Sequence, residues 1–309
     1  MTQLSETILE HWQVRKTRKQ KTAFIEFLTS QMPEVKVEQG GFGNNRNLVV
    51  GDVKSADVIL GAHYDTCARL PFPNFMPPQN ILLYLAYSLL ISIPFFLVAG
   101  VVNMALHLLT DDFLILYWST LLTGMGLMLL VMMGGPANPH TVNDNTSGVI
   151  TLCEIWAAMT EEQKARTAFV FFDNEENGLL GSAFFRKLHR KDGLKHKLMI
   201  NFDCVSDGDH ILFVLNKPAL KVYGDEFVAA FPSTEEMKAH IESTSNTMYP
   251  SDQAGFPVAV GVAAMKKKKL VGLYLNRIHT PRDTVMRREN ISYLTAGTLN
   301  LLKKLRGEA

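Results

Sequence analysis

From Ile81 to Leu109 the chain carries no Asp, Glu, Lys or Arg, and a second uncharged run of about 21 residues follows from Phe113 to Met133. A helical crossing of a bilayer core needs ~20 apolar residues. Each Leu, Ile, Phe or Val near its centre favours insertion by ~0.3–0.6 kcal/mol, with no charge here to oppose it at ~2.5–3.5 kcal/mol. Thr110-Asp111-Asp112 separates the two runs, and Pro94 interrupts the first. The expectation is a transmembrane helical hairpin inserted over 79–135, with spans of about 81–109 and 113–133. It is entered through the Pro71–Pro78 linker, which cannot be helical throughout, and left through Gly134-Gly135-Pro136. A hydrophobic lid or a buried dimer arm is the alternative, although consecutive runs of this length are rare in soluble cores. The connecting loop holds two acids and no Lys or Arg, so the basic residues of the body place that body on the cytoplasmic side.

The remainder of the 309 residues suits one large α/β domain or two small ones. A net charge of +1 gives no reason to expect a nucleic-acid partner. Three cysteines, Cys67, Cys153 and Cys204, make no metal-type cluster and no even disulfide framework, which fits small buried residues in a reducing compartment. Met1 to Lys21 is too polar for a secretory signal. Short β-branched or aromatic runs read as strands at Val35–Glu38, Asn47–Gly51, Asp57–His63, Thr167–Phe172, Lys197–Asp203, Ile211–Leu215 and Val271–Leu275. Helical spacing covers Ser5 to about Met32, a stretch opening near Asp144–Gly148 and running to about Met159, Gly178 to about Leu188, and Asn290 to about Leu305. The basic runs Arg15–Lys21 and Lys266–Lys269 read as solvated faces, the first with some capacity to meet anionic lipid.

The chemistry gathers where buried strands end. Phe171-Phe172-Asp173-Asn174-Glu175-Glu176 closes one strand on two adjacent glutamates, which repel, so that one should resist ionisation. His63 and Asp65 end another strand, Asp203 ends a third, Asp144 precedes a helix and His279 follows the last strand. Ligands in open α/β sheets gather at this edge. Two imidazoles and three carboxylates suit two borderline metal ions if one carboxylate bridges them and room remains for water. Metal charge lets Glu176 ionise and leaves Glu175 as a base, and a bridged pair ~3.5–4 Å apart activates both a carbonyl and a water near neutral pH.

The segments Gly61-Ala62-His63-Tyr64-Asp65-Thr66, Asn143–Gly148, Asp173–Ser182, Asn201-Phe202-Asp203, Ser251–Phe256 and His279–Thr284 closely resemble, in order, the motifs of the M28 family of di-zinc aminopeptidases. The resemblance runs from about Thr22 onward and excludes the hydrophobic insert. It implies a three-layer αβα fold with a mixed, mostly parallel central sheet, two Zn2+ (other divalent metals are possible) and a peptide substrate with a free N-terminus. By that resemblance His63 and Asp203 hold one zinc, Glu176 and His279 the other, and Asp144 bridges them. Glu175 is the catalytic base that takes a proton from the attacking water and returns it to the leaving amine. Asp65 stands behind His63, and Asp283 does something similar near His279. Two features depart from the family: the insert replaces a short connection between the HxD motif and the bridging Asp, and Ile278 stands where some members have a Tyr that helps stabilise the oxyanion. Tyr249 is a weak substitute.

The expected architecture is therefore one peptidase domain, 1–309, interrupted by the hairpin, acting as a membrane-associated aminopeptidase on peptides near the bilayer, to which residues 81–133 attach it. Its rivals are another chemistry of the same zinc-hydrolase clan (carboxypeptidase, aminoacylase or glutaminyl cyclase) and a non-catalytic membrane-anchored scaffold. Residue specificity and oligomeric state stay open.

Overall fold

A computed structural model describes residues 1–306. Among these, nine strands form one sheet, in the order β1(Lys36–Gly40), β2(Asn45–Val50), β4(Thr167–Phe172), β3(Val58–His63), β5(Leu198–Phe202), β8(Ala259–Lys268), β6(His210–Leu215), β7(Lys238–Ser243), with β9(Gly272–Tyr274) pairing β8. The four central strands β4, β3, β5 and β8 run parallel, β1 pairs β2 and β2 pairs β4 antiparallel, β6 and β9 pair β8 antiparallel, and β7 pairs β6 parallel. This is the mixed α/β sheet expected from the strand pattern. β2, β3, β4 and β5 are buried at every position, so their near-continuous apolar runs are covered on both faces.

On one face lie α1(Gln3–His11), α2(Arg18–Gln31), α5(Ser147–Ala158), α8(Lys217–Ala230) and α9(Arg288–Leu305), packed over Leu60, Phe169, Ile200, Val262 and Phe213. The other face, with Ile59, Val170, Phe172 and Met199, is covered by α7(Leu180–Leu188) through Phe185 and by the loop carrying Phe256. The short α6(Glu161–Lys164) leads into β4.

Two expectations change. Ser5–Met32 is not one helix: α1 ends at His11, α2 starts at Arg18 with a capping box between Thr17 and Gln20, and the chain between them turns Arg15 into the interior, fully buried. Nor is the Lys266–Lys269 run wholly a solvated turn, because Lys266–Lys268 end β8 and Lys266 Nζ pairs with Asp207 at 2.6 Å.

The two uncharged runs form α3(Ile81–His107) and α4(Phe113–Gly134), both long and apolar enough to cross a membrane. Their side chains are largely exposed, including Leu82, Leu89, Val101, Met104, Leu122 and Leu130, so these are not buried helices of the core. They pack antiparallel. Phe96 sits so close to Gly124 that a Cβ there would lie 2.8 Å from its ring, and Asn103 Nδ2 donates to Leu116 O and to Thr120 Oγ1, each at 2.6 Å. The roots of the pair are joined: Ala68 bridges Ala137, Arg69 N–H donates to Pro136 O at 2.8 Å, and Asn138 N–H to Cys67 O at 3.2 Å.

Candidate metal centre

The parallel arrangement of β4, β3 and β5 delivers three groups to one sheet edge. His63 is the last residue of β3, the Asp173–Glu176 loop leaves β4, and Asp203 follows β5 directly. Asp144 reaches the same point from the loop before α5, and His279 from the loop after β9. Asn145 fastens the Asp144 loop to the sheet, its Nδ2 donating to Phe202 O while its Oδ1 accepts from Gly148 and Cys204 N–H. Gly148 has to be glycine for this approach, since a Cβ there would stand 2.3 Å from Phe202 O. Gly181 plays the same part behind the Glu175–Glu176 loop, where a Cβ would meet Asp173 O at 1.9 Å. Among the described non-glycine residues, positive φ occurs at Asn44, Asn174, Leu179, Cys204 and His279. Three of these, Asn174, Cys204 and His279, belong to or adjoin the candidate ligands, where strained backbone tends to collect.

The side chains fall into two groups that share Asp144. His63 Nε2 lies 3.3 Å from Asp144 Oδ1 and 3.5 Å from Asp203 Oδ1. His279 Nε2 lies 3.0 Å from Asp144 Oδ2 and 3.4 Å from Glu176 Oε2. Two donors held ~2.0–2.1 Å from one tetrahedral zinc stand roughly 3.3 Å apart, so both groups have the spacing of a ligand set. Among the described residues, buried Glu176 Oε1 and Asp203 Oδ1 have no hydrogen-bond partner, a cost that a cation would remove. The donor chemistry and the spacing therefore fit a pair of divalent ions.

The sequence model of peptidase family M28 matches residues 130–302, more than half of the chain. The chain belongs to peptidase family M28. Probable leucine aminopeptidases of Arthroderma benhamiae and Trichophyton verrucosum are each 26% identical to it over 152 residues, covering 46% of this chain and 41% of theirs. The chain thus spans about two-fifths of the length of the curated relatives it matches. Crystal structures of LapA from Legionella pneumophila superpose with TM-scores of 0.57 and 0.59 at 12% and 13% identity, covering 98% of this chain and 70% and 71% of theirs. LapB from the same organism gives a TM-score of 0.54 at 12% identity, with 98% and 70% covered. These likenesses show that the M28 chain has the aminopeptidase fold.

Around the candidate ligands, further carboxylates hold backbone rather than metal. Asp65 Oδ1 and Oδ2 accept the N–H groups of Glu175 and Glu176 at 3.0 and 3.3 Å, and the Asp65 carbonyl faces His63 Nδ1 at 3.1 Å. Asp65 thus stands behind His63 and also clamps the two glutamates. Asp283 accepts from Asn143 N–H at 2.8 Å and Asp144 N–H at 3.0 Å, so it supports the Asp144 loop. Asp173 takes Lys21 Nζ at 2.6 Å and Arg46 N–H at 2.9 Å. Lys21 is therefore not part of a solvated face, and neither is Arg15, whose guanidinium donates to Tyr64 O, Trp12 O and Thr146 Oγ1. The inward turn of these two cations matches the excess of buried acid around the site.

That excess shapes the ionisation. Burial pushes the Glu176 carboxyl up to about 8, with His279 opposing and Asp144 adding. Burial likewise holds Glu175 well above the carboxylate range. Burial works against the His279 and His63 imidazolium ions, but Glu176 and Asp144 hold the first at about 9, and Glu175, Asp144 and Asp203 raise the second well above its ordinary value. Burial also opposes charge on Asp144, yet hydrogen bonds from both imidazoles keep it far below the usual range. Mutual repulsion alone predicts that one of the two adjacent glutamates resists ionisation; with burial added, both do.

A cavity of about 160 Å³ opens on the site, and Asp144, Glu175, Glu176, Asp203 and His279 are in its lining. Tyr249, Leu275, Ile278 and Met76 line it as well. Tyr249 OH donates to Asp203 O at 2.9 Å, so its hydroxyl is already engaged. Cys67 is buried, as its residue type suggests, and its Sγ lies within 4.8 Å of ligand atoms of Asp144, Glu176 and His279. Its position two residues after Asp65 is the one sequence signal for that proximity. Asp252, within the Ser251–Phe256 motif, is fully buried, and burial pushes it up to about 7.

Proposed function

We propose that this M28 chain is a membrane-associated, metal-dependent aminopeptidase: one peptidase body interrupted by the 79–135 hairpin. The observation that carries the catalytic part is Asp144, whose two oxygens each face a different imidazole–carboxylate group. His63, Asp203 and Asp144 would hold one zinc, and Glu176, His279 and Asp144 the other. When bound, such ions polarise a peptide carbonyl and make water nucleophilic near neutral pH.

The chain's own residues do the rest. Asp65 fixes the loop from which Glu175 enters the cavity. Once nearby positive charge offsets its burial, Glu175 ionises and takes a proton from the attacking water. It then delivers that proton to the departing amine. Among the described residues the cavity lining includes no Lys or Arg, so no basic side chain there is available to pair with a C-terminal carboxylate. This favours an aminopeptidase over a carboxypeptidase.

Membrane association is supported by two exposed apolar helices of spanning length. Aromatic residues stand at both levels of the hairpin, Tyr84 and Tyr87 near its root and Tyr117 and Trp118 near its tip, as in an interfacial belt. Lys16 Nζ donates to Met133 O at 2.7 Å at the end of α4, which puts a cation at the root and agrees with a body on the cytoplasmic side. The test uses the full chain in detergent and measures release of the first residue from free and N-acetylated peptides, before and after chelation and zinc return. Chelator-sensitive cleavage of free peptides alone is the expected result. Cleavage of blocked peptides, or none with two metals bound, overturns the reading.

A further inference from the structure

The linker that leads into the hairpin does more than connect. Residues 71–80 run beside the cavity as a strap, with Asn74 and Met76 in its lining. Met76 and Leu275 exchange backbone hydrogen bonds at 3.1 and 3.0 Å, Asn74 N–H donates to Ile278 O at 3.3 Å, and Met248 N–H donates to Pro78 O at 2.8 Å. The strap thereby places Asn74 and Met76 in the cavity lining, with Met76 packed against the cluster of Leu275, Ile278 and Tyr249.

The same strap is tied to the first membrane helix. Tyr87 OH donates to Pro73 O at 2.6 Å. The Phe75 ring packs edge-on against Tyr87 at 5.3 Å and tilted against Tyr274 at 6.0 Å, and Phe72 meets Phe95 at 6.3 Å. At the other root, Met132 and Met133 share a small recess with Glu176 and Asn177. Both ends of the hairpin therefore abut the site. Of these two ends, the strap is the one that contributes side chains, Asn74 and Met76, to the lining of the cavity at the candidate metal centre.

We propose that Met76 is a specificity-determining residue for the substrate's first side chain, and that Tyr87 sets its position, so that selectivity depends on how the hairpin is seated. The proposal rests on the aminopeptidase reading above. Methionine is a flexible wall whose exchange changes cavity size without adding charge. Differences of one or a few methylene groups in such a wall change discrimination by about tenfold or more.

The experiment compares the full chain, wild type and variants, in phosphatidylcholine nanodiscs with zinc present. It measures kcat/KM for the p-nitroanilides of Ala, Leu and Phe and the zinc content of each protein. Met76→Ala is expected to raise the Phe:Leu ratio by about tenfold and Met76→Phe to lower it by a similar factor, with zinc content unchanged. Tyr87→Phe, which keeps the ring and loses the tie to Pro73, is expected to shift the same ratio roughly threefold in nanodiscs. An active wild type with ratios within about twofold in all three variants overturns this inference alone. A wild type that cleaves none of the three substrates overturns the aminopeptidase reading and this inference with it.

Discussion

Replacing Asp65 by Asn removes one charge and almost no volume, yet it strikes the clamp on both glutamates. The wild-type carboxylate receives two consecutive N–H groups, from Glu175 at 3.0 Å and Glu176 at 3.3 Å. Asparagine keeps one acceptor oxygen and turns an NH2 group toward the other N–H. Asp65 is 2% exposed, so water does not step in. One charge-assisted hydrogen bond is lost, about 1.5–3 kcal/mol, and a buried N–H is left unpaired at about 1–3 kcal/mol. Part of this lowers overall stability. The part that lets Glu175–Glu176 and His63 drift lowers metal affinity, and the loss of an orienting partner typically costs about 10–100-fold, or ~1.4–2.8 kcal/mol. The assay is competition for zinc between the purified chain and a chromophoric chelator, with turnover at saturating zinc measured alongside. Asp65→Asn should bind zinc at least about tenfold more weakly and recover much of its turnover when zinc is in excess. Zinc affinity within about twofold of the parent would refute the reasoning, because the clamp would then not be what positions the ligands.

Glu175→Gln should retain both metals by elemental analysis and lose about 10²–10⁴ in kcat, the usual worth of a general base; unchanged turnover would remove Glu175 from that role. In the chelated chain, Glu176 (about 8) and His279 (about 9) keep protons through neutrality that the unfolded chain releases near ~4.3 and ~6.5. Each contribution to stability is complete below the unfolded value and is lost as pH rises through the folded one. The Tm of the chelated chain should therefore fall between about pH 6 and pH 9, while the gain from added zinc grows because zinc needs the same groups deprotonated; a chelated Tm that rises over this range contradicts the assignment. Arg15→Met should lower stability in denaturant unfolding by roughly 3 kcal/mol or more, since it strips a buried cation from Tyr64 O, Trp12 O and Thr146 Oγ1. A loss below about 0.5 kcal/mol, the level of an ordinary surface change, would mean that the N-terminal segment does not brace the site.

Burial governs how much of this molecule is legible in its sequence. β3, β4 and β5 are covered on both faces, so their runs are apolar throughout and their ends are marked by the first ionisable residue: His63, Asp173 and Asp203. Residue type and order therefore point to this sheet edge as the place where the candidate ligands gather. The groups that hold those ligands carry no such mark. Asp283 is picked out only by the family resemblance, which puts it near His279; in the fold it is 1% exposed and clamps the Asp144 loop. Arg15 and Lys21 sit in a basic run that reads as solvated, and only the fold shows that the acid they offset lies underneath. The unbroken helical spacing of Ser5–Met32 hides the turn that carries Arg15 inward, because a period-3.6 pattern registers apolar faces and not a buried cation. The stretch from α8 to β8 is hard to read for a related reason: β7 is only half-buried, and β8 passes from a buried apolar run into three lysines.

The insert raises a different question, namely how a catalytic body tolerates eighty residues between His63 and Asp144. The answer lies in the pairing of its roots. Ala68 bridges Ala137, with Arg69 N–H on Pro136 O and Asn138 N–H on Cys67 O, so the body meets the insert as a closed junction. Loop entropy grows only slowly with length once the ends are held, so the added chain costs the body little. A junction placed there cannot be remote from the chemistry, however. Cys67 and Asn138 sit between the His63–Asp65 turn and the Asp144 loop, and Asn138 Nδ2 also donates to Thr280 O beside His279. The geometry that makes the hairpin cheap to insert is thus the geometry that brings its strap into the cavity wall. The ten residues that lead into the hairpin are thus also the ones that bring Asn74 and Met76 to the cavity.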